Sequence, residues 1–430
     1  MRISTVRALE VIDSRGLPTI AAEVKFEDGV SGSAMVPSGA SVGKLEALEL
    51  RDQDPKRWFG KGVLNAVRNV NETISHALAG EVSDVRSVDR IMIDSDGTEN
   101  KSKLGANAIL AVSLANARAL AAEQRKPLYA LIAELCGINQ PTLPTPMVNI
   151  LSGGLHARWS LDMQDFLVVP LGAASLRQAL DYVGLIYHST MRLLNERGLS
   201  TLLADEGGFG PRVENHETML KILLQAIERS GLKAGVDKDV AIAIDVAASH
   251  FWKNGEYELA SENQRLSGED LVSLLEDWSS RYPIVSIEDG SAEEDWNSWK
   301  ILTERLGKKT QLVGDDVFVT NTALIKKGVE SKVGNSVLIK LNQIGSLSET
   351  IDAIMLCKKS GYAPVISARS GDTEDHFISD LAVGSAAGQI KVGSIARSER
   401  TAKYNRLLEI EGWSGQTLPF TGSGCFPFLS

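Results

Sequence analysis

Three short β-branched runs in this chain end in acids. AIAI runs into Asp245, VSI into Glu288 and Asp289, and LVG into Asp315 and Asp316. A fourth run, SVLI, ends in Lys340. A lone acid at a strand end is an ordinary turn or helix cap. Three on separate strands gather negative charge wherever those strand ends converge, and such a cluster is unfavourable until a cation neutralises it. Oxygen donors with no Cys or His beside them suit Mg²⁺. A lysine between Ile339 and Leu341 in a strand is expected to be buried and functional. A divalent metal beside a strand-end lysine suggests proton abstraction next to a carboxylate, with the metal stabilising the enediolate and the lysine taking the proton. A free lysine, with a pKa of about 10.4, cannot act as a base while charged. Positive charge nearby, from Lys391 in GQIKVG or from the metal, is expected to lower it.

The acids belong to a longer alternation. DFLVVP, VAIAIDVA, IVSIED, QLVGDDVF, SVLIKLN and APVISARS are separated for the most part by long amphipathic segments. Repeated βα units of this kind predict a parallel sheet. Residues 140–430 suffice for a (βα)8-type barrel with insertions, which takes ~250 residues. An open doubly wound sheet would want a Gly-rich phosphate turn after its first strand, and no GxGxxG or Walker pattern is present. In a barrel the strand C-termini meet on one face, and that face carries the chemistry. The preceding part is mixed. Strand-like runs lie near 3–9 and 18–28 and before Pro37, and helical patterns near 62–79 and 104–124. The connector GINQPTLPTP, at 138–146, is the expected boundary. The fold class is therefore α/β: an N-terminal α+β domain over 1–139 with a lid loop, then a barrel over 140–430 carrying the metal and catalytic residues.

Composition narrows the partners. Lys and Arg number 45 and Asp and Glu 55, so the net charge of −10 disfavours a nucleic-acid backbone as ligand. With 43% hydrophobic and 23% charged residues, a disordered chain is excluded. The longest apolar stretch, GANAILAVSLANARALAA, is broken by Asn107, Asn116 and Arg118 and predicts a packed helix, with no membrane partner. The start of the sequence has no continuous apolar run of the signal-peptide kind. Cys136, Cys357 and Cys425 are odd in number and far apart, which argues against a disulfide framework. These features predict a cytoplasmic protein.

The motifs DSRGLPT, VPSGASVGKLEALELRD, GANAILAVSLANA, DEGGFGP, DVAAS, YPIVSIED, GDDVFVTN, KLNQIGSLSET, RSGDTED and GQIKVGSIARSERTAKYN occur in that order along almost the whole chain. Together they resemble the enolase family. Pairing a strand-end lysine with a divalent metal is established chemistry of the enolase superfamily. The resemblance implies roles by position. Asp245, Glu288 and Asp315 are similar to the ligands of a high-affinity Mg²⁺, and Ser41 to the lid ligand of a second Mg²⁺ that arrives with substrate. Lys340 resembles the general base and Glu206 the general acid that protonates the departing hydroxyl. Asp165 stands where a glutamate assists that acid, and Gln164 beside the metal or a bound water. Lys391 resembles the group that holds the substrate carboxylate. Arg369 and Ser370 resemble phosphate ligands, and His156 lies on a loop that closes over the substrate. The implied substrate is 2-phosphoglycerate or another small phosphorylated or phosphonylated carboxylate, and the implied assembly is a homodimer or a higher homo-oligomer.

The chain departs from the family around the substrate. Ala368 replaces a histidine before the arginine of the phosphate motif. SGGLHARWS, with Ser152, Arg158 and Trp159, replaces NGGxHA followed by small or polar residues. Asp165 is a shortened glutamate. Gly290 follows the EDP-type acids, Leu17 replaces an asparagine, and Val42 a lid threonine. Ala368 opens space near the phosphate, and Arg158 is expected to add positive charge at the pocket rim. Two alternatives follow. One is a paralogue acting on a different phosphorus substituent, of the kind that makes carboxyphosphonoenolpyruvate in phosphinate pathways. The other is a non-catalytic enolase-like binding protein, which the retained acids and lysine oppose.

Overall fold

The computed structural model describes residues 1–39, 43, 45–415, 417–426 and 428. The expected Ser41 site and the departure at Val42 lie outside the described residues. The chain opens with an antiparallel sheet, β1 (Ile3–Ile12), β2 (Pro18–Phe26) and β3 (Ser31–Met35). The helix Ala106–Glu123, almost wholly buried and rich in alanine, lies across it. The contact is close because Gly32 carries no side chain. A Cβ there would stand 2.3 Å from the Ala119 backbone nitrogen. The pattern expected at 62–79 is helical but not uniform. Leu64–Asn69 and Ser75–Leu78 flank a π-helical stretch, Val70–Ile74. Among the described residues no helix is long and apolar enough to cross a membrane.

Eight strands then close a barrel: β4 (Thr145–Ser152), β5 (Asp165–Val169), β6 (Ala241–Asp245), β7 (Ile284–Glu288), β8 (Gln311–Gly314), β9 (Ser336–Ile339), β10 (Ala363–Ser367) and β11 (Gln389–Gly393). The barrel departs from the purely parallel expectation in one strand. β5 runs antiparallel to both β4 and β6, whereas the other barrel pairs are parallel. The reason is legible in the connections. The segment 153–164 between β4 and β5 holds only the three-residue turn Leu155–Ala157, whereas a parallel crossover is normally built on an α-helix.

Strand parity does the rest. Side chains two apart share a face, so Ala241, Ala243 and Asp245 share one side of β6, and Gln311 and Val313 lie in line with Asp315. Met147, Leu167, Ala243, Val313, Leu338 and Val365 pack with Cys425 and Phe426 inside the barrel, against the short turn Gly422–Cys425. Gln311 and Gln389 exchange side-chain hydrogen bonds at 2.9 and 2.8 Å, which satisfies two buried amides. The polar chemistry is left at the other end.

The N-terminal domain is tied to that end. Arg118 forks onto Asp375 at 2.6 and 2.8 Å, and Lys101 meets Glu349 at 3.0 Å. Ser38 and Gly371 exchange backbone hydrogen bonds at 2.8 and 3.1 Å. Because the helix at Gly32 meets backbone atoms that cannot yield, Gly32→Ala should destabilise the fold by about 1–3 kcal/mol, as overpacking does. Thermal denaturation should show a lowered Tm with the barrel-mouth residues untouched.

Candidate active site

The strand ends bring the sequence-predicted residues into one cavity. His156, Gln164, Glu206, Asp245, Glu288, Asp315, Lys340, Ala368, Arg369, Ser370 and Lys391 line it, with Ser367 and Val392. Glu288 faces Asp245 in register across β6 and β7, and Asp315 follows β8 directly. Asp165 belongs to the site only because β5 is reversed. Its register partners are Asp245 and Ser152, so the start of β5, rather than its end, lies at the mouth.

The acids are held apart by amines. Lys391 Nζ donates to Asp245 Oδ2 at 2.8 Å and to Glu288 Oε2 at 2.6 Å. Lys340 Nζ donates to Asp315 Oδ2 at 2.5 Å, and Gln343 Nε2 to Asp315 Oδ1 at 2.8 Å. Gln164 Nε2 donates to Asp245 Oδ2 at 3.1 Å. Burial acts to raise the Asp245 and Asp315 carboxyls, but Lys391 and Lys340 outweigh it and hold them below the usual range. Glu288 is pushed well above its ordinary value by burial, with Asp245 adding to the rise. The protein's own groups do not lower Lys340 as expected of neighbouring side chains. Burial does press it down, but Asp315 at contact distance more than compensates and raises it. Lys391 is raised by its two acids in the same way against the effect of burial.

A second network stands across the cavity. Asp165 Oδ1 accepts from Asn149 Nδ2 at 2.5 Å and Ser152 Oγ at 2.7 Å, and its Oδ2 lies 3.2 Å from His156 Nδ1. The far ring nitrogen of His156 is 3.8 Å from Glu206 Oε1. Glu206 therefore meets Asp165 through the imidazole rather than directly. Burial disfavours charge on His156, but Glu206 and Asp165 overcome it and carry the ring up to about 9. Burial raises Asp165 more than His156 lowers it. Glu206 is lowered, because His156 and Arg400 outweigh its burial. Glu206 is thus favoured as an anion, and His156 as the cation between it and Asp165.

Arg369, fully buried, donates from Nη1 to Glu46 Oε2 at 2.9 Å and to Asn342 Oδ1 at 3.0 Å. Arg400 shapes this corner from behind, donating to the Arg369, Ser370 and Val392 carbonyls at 2.6, 2.7 and 3.1 Å. Arg158 does not line the cavity. It lines an adjoining cleft with Ser200, Leu202 and Arg212, and His156 is the wall the two spaces share. Sequence reasoning missed Glu46, Gln343, Asn149 and Arg400. Gln343 sits three residues after Lys340, one helical turn on, which is a usable signal. Glu46 lies within the motif VPSGASVGKLEALELRD, but nothing in that motif shows that it will meet Arg369.

The donor set fits a hard divalent cation. Asp245, Glu288 and Asp315 offer only oxygens, and Gln164 Oε1 beside them is buried without a hydrogen-bond partner. These three acids are not the tightest group, however. Among the described residues the sets whose ligand atoms lie within 4.8 Å of one another are His156, Asp165 and Glu206, and Asp289, Asp315 and Asp316. Asp289 is engaged by the Asp315 and Asp316 backbone nitrogens at 2.9 and 3.0 Å. Lys391 bridges Asp245 and Glu288, and Lys340 is held by Asp315 alone of the three.

Family models for the enolase N-terminal domain and the enolase C-terminal TIM barrel domain match residues 3–132 and 140–427. The chain belongs to the enolase family. The match covers both the antiparallel sheet with its helices and the barrel, so the site described here lies wholly on enolase-type domains.

His156 supplies a direct check on this electrostatic frame. Its imidazole should titrate near pH 9 by NMR, and Asp165→Asn should lower that midpoint. The sign for stability follows from a raised folded-state value. The contribution is complete below the unfolded value of about 6.5 and is lost as the pH rises through about 9.

Proposed function

We propose that the protein is a Mg²⁺-dependent enolase-type carbon–oxygen lyase that removes the α-proton of 2-phosphoglycerate or a close analogue. The observation that carries this reading is Lys340, held by Asp315, in one cavity with the His156–Glu206 pair. Mg²⁺ held by Asp245, Glu288 and Asp315 would take up the carboxylate charge that now stabilises Lys340 and Lys391 as cations and would offset the charge growing on the substrate carboxylate. Lys340 would be the base that takes the α-proton. Lys391, released from Asp245 and Glu288, is free to hold the substrate carboxylate. Glu206 receives a proton from His156 and passes it to the departing hydroxyl, so the pair acts as a single acid. Arg369 and Ser370 hold the phosphate once Arg369 exchanges Glu46 for it. The substrate is a small phosphorylated or phosphonylated carboxylate, the assembly a homodimer or higher homo-oligomer, and the domain division falls at 139/140. Cytoplasmic residence belongs to the same reading, in keeping with three buried free cysteines.

Chelation should abolish turnover of 2-phosphoglycerate and Mg²⁺ should restore it; full turnover in metal-free buffer would exclude the reading. Lys340→Ala should remove exchange of the α-proton with solvent. Glu206→Gln should block loss of the hydroxyl yet leave some exchange, because abstraction comes first. Each change should cost about 10²–10⁴ in the affected step.

A second reading rests on Ala368. It lines the catalytic cavity beside Arg369 and is also a wall of a second, smaller space bounded by Met35, Leu114, Phe377 and Ile378. A larger substituent on phosphorus would use the space that a histidine side chain at 368 would fill, as in a carboxyphosphonoenolpyruvate-forming paralogue. Ala368→His should then raise kcat/KM for 2-phosphoglycerate by about 10–150-fold, the worth of one charge-assisted hydrogen bond, and impair any bulkier substrate. A slower histidine variant of a protein already efficient on 2-phosphoglycerate would eliminate this second reading.

A further inference from the structure

Gln164 and Asp165 stand at the cavity, and the segment just before them is gripped from outside the site. His216, the first residue of the helix His216–Arg229, is fully buried. Its Nε2 accepts hydrogen bonds from the Asp162 and Met163 backbone nitrogens at 3.1 and 3.2 Å. Its Nδ1 meets Glu262 Oε1, which also accepts from the His216 backbone nitrogen at 2.7 Å. Glu262 closes the short turn Ala260–Glu262, and that turn returns the contact. The Asp162 carboxylate accepts from the Ala260 and Ser261 backbone nitrogens at 3.0 and 3.1 Å.

These contacts fix the state of the ring. An N–H cannot face an N–H, so a nitrogen that receives two backbone donors carries its lone pair, and the proton resides on Nδ1 against Glu262. Downstream, the gripped segment is welded to the site by backbone bonds. Gly153 donates to the Gln164 carbonyl at 2.7 Å, Gly154 to the Leu161 carbonyl at 2.9 Å, and Gln164 to the Asp245 carbonyl at 3.0 Å. There is no slack in this packing, since a Cβ on Gly153 would stand 2.4 Å from the Met163 oxygen.

We propose that His216 is a positioning residue for this active site: its Nε2 lone pair sets the place of residues 162–165, and through Gln164 and Asp165 that of Asp245 and the His156–Glu206 pair. The proposal rests on the enolase-type reading for its activity readout, but its second readout, the titration of His156, does not depend on any substrate. His216→Phe keeps a ring and removes the acceptor, whereas His216→Gln supplies a carbonyl oxygen that can take both backbone donors. The full-length protein should be assayed for exchange of the α-proton of 2-phosphoglycerate with Mg²⁺ present, and by NMR for the His156 midpoint. His216→Phe should lower the exchange rate by about 10²-fold, the scale of an ångström misplacement. It should also bring the His156 midpoint down by about one unit or more, toward the free value. His216→Gln should recover most of both. Glu262→Ala, which frees the ring proton from its partner at a less buried position, should move both readouts the same way by less, and decides the matter if His216→Phe does not fold. A His216→Phe protein with lowered Tm but unchanged exchange and His156 midpoint overturns the proposal, as does a Gln variant no better than Phe. Absence of exchange in the natural protein would sink the enolase-type reading alone, while the His156 midpoints would still decide the role of His216.

Discussion

The structure depends on burying acids and amines together at one end of a barrel. Asp165, Glu206, Asp245, Glu288 and Asp315 are all buried, and each is costly to ionise away from water. Lys391 between Asp245 and Glu288, Lys340 on Asp315, and His156 between Asp165 and Glu206 supply the positive charge that makes them tolerable. The same arrangement poises the site for chemistry. A lysine stabilised by a carboxylate is a poor base, and it becomes a good one when that carboxylate is engaged by something else. On the proposed enolase-type reading, the internal counter-ions link cation binding to the activation of Lys340.

Such a cluster has to be aimed, and strand parity aims it. Every second residue of β6, β8 and β9 faces the interior, small or apolar where the barrel is plugged and charged where it opens. β5 obeys the same parity in the opposite direction. Its reversal delivers Asp165 from the start of a strand to the face that the other strands reach at their ends. The short β4–β5 connection thus does more than save chain: it folds the loop carrying His156 directly over the mouth.

Much of this was legible beforehand. Runs ending in Asp245, Glu288, Asp315 and Lys340 gave the barrel face, and the ordered motifs gave the family. What the sequence could not carry was pairing. Nothing in GDDVF states that the carboxylate will hold Lys340 and raise it, because the sign of that shift depends on whether Asp315 or burial wins at contact distance. Nothing in SGGLHARWS states that Arg158 turns into a neighbouring cleft. Both Arg158 and Trp159 take positive φ, of 53° and 58°, conformations uncommon for residues with side chains. The reversal of β5 was obscured by the βα rhythm around it.

The departures from the family acquire a different meaning once their contacts are known. Ser152 and Asp165 read as two independent changes along the chain, yet the Ser152 hydroxyl donates to Asp165 Oδ1 at 2.7 Å. A carboxylate shortened by one methylene is anchored deeper, and the hydroxyl together with Asn149 satisfies the oxygen that turns away from His156. The second oxygen keeps the imidazole. Gly290 is similarly constrained, since a Cβ there would meet Leu302 at 2.8 Å and Ile287 at 3.1 Å. Changes that compensate one another in this way are what a pocket under continued demand accumulates. A site released from that demand would lose its hydrogen-bond partners one at a time, leaving buried acids unpaired at a cost of several kcal/mol each. Asp165, Asp245, Glu288 and Asp315 instead each keep a hydrogen-bonded partner.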